Sequence, residues 1–161
     1  MSRKKVSTLF LKAVLVFMGL VVLAICIFGL PLIAAQDAEM HPETAYLQYP
    51  FLISAYIFFV PFFIALYQTF KLLTYIDRNE AFSERSIKAL NVIKLCALAI
   101  IAFIVLGELA TILLIDDDIT HIITLGAIGA FASSVIAVFA ALLQKLLKNA
   151  IEIKKENDLT V

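Results

Sequence analysis

The chain has 161 residues, 63% hydrophobic and 16% charged, and its 13 basic and 13 acidic side chains cancel to a formal net charge of zero. A soluble domain is roughly half apolar and about a quarter charged, so this composition excludes a water-soluble globule. The apolar residues lie in four runs of about 20 to 25, the length that crosses a hydrocarbon layer about 30 Å thick at about 1.5 Å per residue.

The first run, over 10–34, follows a basic start at Arg3, Lys4 and Lys5. Its apolar stretch exceeds the 7 to 15 residues of a secretory signal, so it is read as a signal anchor that stays in the membrane. The connection after it is acidic, with Asp37, Glu39 and Glu43. The second run, over 50–73, is crowded with aromatic rings and carries Pro61, where a kink is expected because proline lacks an amide and crowds the carbonyl of Ile57. Next comes a polar segment, 74–91. Within it Ser83 is placed to cap a helix, Glu84 suits the positive end of the helix dipole, and Phe82 is placed to staple onto Ile87. That helix is expected to run into the third run, 92–115. A short acidic connection with Asp116, Asp117 and Asp118 leads to the fourth run, 122–147, and the chain ends in a basic tail.

Continuous apolar runs without alternation favour helices over a barrel, because backbone in lipid must satisfy its own hydrogen bonds. The expected fold is an all-α, polytopic four-helix transmembrane bundle of two hairpins, a single domain over 1–161. Orientation follows from the lysines and arginines. Arg3, Lys4, Lys5 and Lys12, then Lys71, Arg78, Arg85, Lys88 and Lys94, then Lys145, Lys148, Lys154 and Lys155 make up all 13. The two other connections carry none. The positive-inside rule then predicts a multi-pass protein of the cell membrane with both termini and the middle segment in the cytoplasm.

Few residues inside the spans are chemically suggestive. Glu108 is the one acid well within a run, where a charge costs about 2.5 to 3.5 kcal/mol at mid-membrane. It is expected to face protein, with Tyr56 and Ser133 at similar depth as hydrogen-bond partners. A proton relay and a structural hydrogen bond both fit it. The fourth run repeats small residues at Gly126, Ala130, Ser133, Ser134, Ala137 and Ala141, a face that lets helices approach closely, within the monomer or in a homo-oligomer. Cys26 and Cys96 read as packing residues, and no disulfide between them is expected. The outer acids with His41 and His121 match no calcium-loop or zinc spacing, so no metal and no cofactor are expected. No phosphate loop, nucleophile elbow or metalloprotease motif is present, so no catalytic residues are assigned. The basic flanks suit the lipid bilayer and its anionic headgroups, not direct nucleic-acid recognition.

The stretch Leu72-Leu73-Thr74-Tyr75-Ile76-Asp77, then Phe82-Ser83, then Ser86-Ile87-Lys88-Ala89-Leu90 and Ile93, resembles the signature of an uncharacterised family, a domain of unknown function, of small four-span bacterial membrane proteins. The resemblance implies genes often placed beside a helix-turn-helix regulator, and hence a soluble cytoplasmic regulator as partner. The residues expected to dock it are Asp77, Phe82, Ser83, Arg85 and Lys88. A small transporter or ion-pathway component using Glu108 is the alternative.

Overall fold

The structure, a computed structural model, describes residues 2–116 and 118–160. Among them there is no strand. The first helix starts as α1 (Arg3–Ala24), passes through a π-helical turn (Ile25–Gly29) and continues as α2 (Leu30–Met40). A 3-10 segment (Pro42–Leu47) leads into α3 (Gln48–Asp77), which continues unbroken through a buried Pro61. The second hairpin is α4 (Glu84–Leu114) followed by α5 (Thr120–Leu159). Among the described residues four helices, with α1 and α2 counted as one, are long and apolar enough to cross a membrane. The chain is thus an all-α membrane protein of two helical hairpins.

Its polar side chains in the apolar stretches are largely satisfied within their own helices. Ser54, Thr69, Thr111, Thr124 and Ser134 each donate to the carbonyl four residues back, at 2.8–2.9 Å. Such hydroxyls ask for no partner on another helix and can face lipid.

The π turn leaves one carbonyl to be answered from another helix. The amide of Leu30 reaches back five residues to the Ile25 carbonyl. In that register the next donor for Cys26 is residue 31, but Pro31 has no amide to give. The Tyr56 hydroxyl of α3 donates to the Cys26 carbonyl instead, at 2.9 Å.

The helices pack in chain order. The first helix rests on α3, α3 on α4, and α4 most extensively on α5, with no substantial contact between α1 and α5. The result is an open row of helices. Its accessible surface, 11373 Å², exceeds the roughly 8,000 Å² that size scaling gives a compact soluble monomer of this mass. The most extensive seam is that between α4 and α5, where Ala137 and Ala140 of α5 are buried, and Ile87, Leu90, Ile93 and Ala97 of α4 are buried in the middle of the row. Here small residues bring backbones close, the main source of packing energy where lipid surrounds both helices. Ser133 shares that seam, whereas Ser134 and Ala141 are exposed. The small-residue face expected on the fourth run is therefore split, one part against α4 and one part outward.

Candidate functional site

The three basic segments meet at one end of the row. Lys4 donates to Asn79 Oδ1 at 3.2 Å, and Lys155 lies 3.9 Å from Glu84. The turn between α3 and α4 is held from both sides. On the α3 side, Asn79 takes a left-handed φ of 59°, the Glu80 amide reaches the Tyr75 carbonyl at 2.8 Å and the Asn79 amide reaches Ile76 at 3.1 Å. This is the Schellman pattern, with asparagine in the place glycine usually takes. On the α4 side, Ser83 is extended and accepts from the Ser86 amide at 3.4 Å, while Ser86, fully buried, donates to the Glu80 carbonyl at 3.3 Å. The cap predicted at Ser83 forms.

Asp77 is the keystone of this turn. It lies a turn beyond Leu73, outside the apolar span, and takes a hydrogen bond of 2.5 Å from Lys12 of α1. The Lys12 ammonium is the main reason its carboxyl sits below the ordinary carboxylate range. The Thr8 hydroxyl lies 2.5 Å from the Lys4 carbonyl. With its proton directed there, Asp77 Oδ1 is left buried without a hydrogen bond. Asp77 and Ser83 therefore hold the turn, and Phe82, Arg85 and Lys88 are the members of the expected set that it displays. Phe82 is 66% exposed. Rather than closing down as a tight staple, it borders a shallow groove with Glu84, Ile151 and Lys155. Arg85 lies 3.7 Å from Glu80, and Lys88 is exposed three residues along α4.

Glu108 sits near the other end of α4 and turns toward α5. A Cβ on Gly126 would overlap its Oε1 and lie 2.8 Å from its Cδ. Gly126 is what makes room for the carboxyl, and Oε1 is buried there without a hydrogen-bond partner. Among the described residues no hydrogen bond joins Glu108 to Tyr56 or Ser133. Tyr56 is committed to Cys26, and Ser133 lies in the α4–α5 seam.

A polar cluster missed by the sequence reading spans the same seam nearer the basic end. Buried Gln144 accepts from Lys94 at 3.1 Å and donates to Asn91 at 3.5 Å. Lys94 and Gln144 interrupt otherwise apolar runs, and that interruption was the available signal. At the acidic end, Asp118 accepts from the Thr120 amide at 3.0 Å, and the hydroxyl and amide of Thr120 hold its carboxyl low. His41 lies 3.4 Å from Asp37, both exposed. Asp117 lies outside the described residues. Among those described, no three His, Cys, Asp or Glu side chains gather as metal ligands, and Cys26 and Cys96 are both free and buried.

A family described as "Protein of unknown function (DUF2975)" matches residues 32–161. The chain is 52% identical over 158 residues to "Uncharacterized membrane protein YoaS" of Bacillus subtilis (strain 168), covering 98% of this chain and 99% of that one. No solved structure matches.

Proposed function

This chain belongs to the family of unknown function DUF2975, and from that premise we propose that it is a non-enzymatic docking module whose basic end faces the cytoplasm and grips a soluble regulator. The carrying observation is the turn between α3 and α4. It is capped on both sides, tied to α1 through Lys12 and Asp77, and it displays Phe82, Arg85 and Lys88. An exposed aromatic ring flanked by cations on a rigid turn suits a partner with an acidic, partly apolar surface. The orientation rests on the positive-inside rule, since all the basic segments gather at this end. In-cell cross-linking of the tagged protein, with the double charge reversal Arg85→Glu and Lys88→Glu, tests it. A soluble protein captured by the wild type and lost from the variant is the expected result, and capture unchanged by the reversal overturns the reading.

A second reading is favoured by one observation, the buried Oε1 of Glu108 with no hydrogen bond. In a transporter or ion-pathway component that carboxyl takes up and releases a proton or holds a cation. Glu108→Gln then abolishes flux in proteoliposomes while the protein still folds, and unchanged flux removes the residue from any such pathway.

A further inference from the structure

We propose that the groove between α1 and α3 binds one anionic glycerophospholipid, with an acyl chain against Gly19 and the phosphate at Lys71. The groove encloses about 220 Å³ and is lined by Leu15, Val16 and Gly19 of α1 and by Leu66, Tyr67 and Phe70 of α3. Gly19 lets α3 close on α1 at the floor of the groove, because a Cβ there would come 2.9 Å from Leu66 Cδ2. The lining is apolar and lies within the spans, so water gains too few polar partners to fill it, and an acyl chain is the solvent at hand.

The basic end of the groove makes it more than a gap for ordinary lipid. Two of its lining rings are covered by ammonium groups, Lys12 at 5.5 Å from the Phe70 centroid and Lys71 at 5.4 Å from the Tyr67 centroid. Lys12 is answered by Asp77. Lys71 has no acidic partner among the described residues, and its ammonium lies over a ring one turn nearer the membrane centre instead of reaching straight out to water. Lys71 is therefore an unmatched positive charge at the mouth of an apolar slot. A phosphodiester with a single net negative charge matches it, whereas a zwitterionic headgroup brings a second cation.

The test is native mass spectrometry of the full chain in mild detergent, offered phosphatidylglycerol and phosphatidylcholine of identical acyl chains. The wild type retains phosphatidylglycerol preferentially, by about fivefold, the equivalent of roughly 1 kcal/mol for one lysine. Lys71→Gln removes the preference, and Val16→Phe, which fills the slot from its open side, lowers retention of both lipids. Equal retention by the wild type, a preference that survives Lys71→Gln, or full retention by Val16→Phe overturns the proposal.

Discussion

At the residue scale, the pairing of Pro31 with Tyr56 makes a sharp prediction. Tyr56→Phe leaves the Cys26 carbonyl without a donor inside the membrane, at a cost of about 1 kcal/mol. Pro31→Ala restores an amide at the position that lacked one. The double variant is therefore more stable than Tyr56→Phe alone, measured by thermal unfolding in detergent and by alkylation of Cys26 with Cys96 as internal reference. Additive losses would show that the hydroxyl does something else. Asp77 makes a prediction about acid. Its carboxyl binds a proton less tightly in the folded chain than at the unfolded value of about 3.8. Its contribution is therefore present above that value and lost as pH falls through the lowered one. Stability should hold from about pH 7 to pH 5 and decline below about pH 4. The decline should be smaller in Asp77→Asn, which has no proton to take up there.

At the element scale, α4 and α5 fit each other through a deliberate gap. Gly126→Ala places a methyl group where the Glu108 carboxyl lies, and such overpacking costs about 1–3 kcal/mol. Shortening the acid in Glu108→Ala creates the space, so the double variant should recover most of the loss of Gly126→Ala in the same unfolding assay. A loss of equal size in both backgrounds would mean the two residues do not meet. What sequence reading found at this scale, and what it missed, follow from how local each cause is. Run lengths, the Ser83 cap and the continuation of α4 into its span depend on neighbours within a few residues, and all were legible. The Lys12–Asp77 pair joins residues 65 apart, and a lysine read for topology gives no hint of its partner. The hydrogen bonds expected of Glu108 failed for the same reason. Equal depth does not say which way two helices are rotated, and Tyr56 was already spoken for by a carbonyl whose need came from a proline 25 residues upstream.

At the scale of the whole molecule, packing in chain order separates the first and last helices. Leu20 of α1 and Ile136 of α5 are both exposed on helices that do not pack on each other, so cysteines at both positions, with Cys26 and Cys96 replaced by alanine, should form no disulfide within one chain. A closed ring of helices predicts an intramolecular cross-link there. A bond joining two chains, seen as a doubled mass, is instead the signature of a homo-oligomer. α5 adds a further asymmetry. Its 40 residues span about 60 Å, twice the hydrocarbon layer, so its last turns stand clear of the membrane beside the start of α4, where Lys155 meets Glu84.

That meeting point has a temporal meaning. The junction at the basic end is assembled from three stretches far apart in sequence, through Lys4 with Asn79 and Lys155 with Glu84. Both hairpins must be inserted before the three stretches stand side by side. Any molecule that reads the whole junction thus ignores copies with only one hairpin in place and responds to the number whose four spans are all in the membrane.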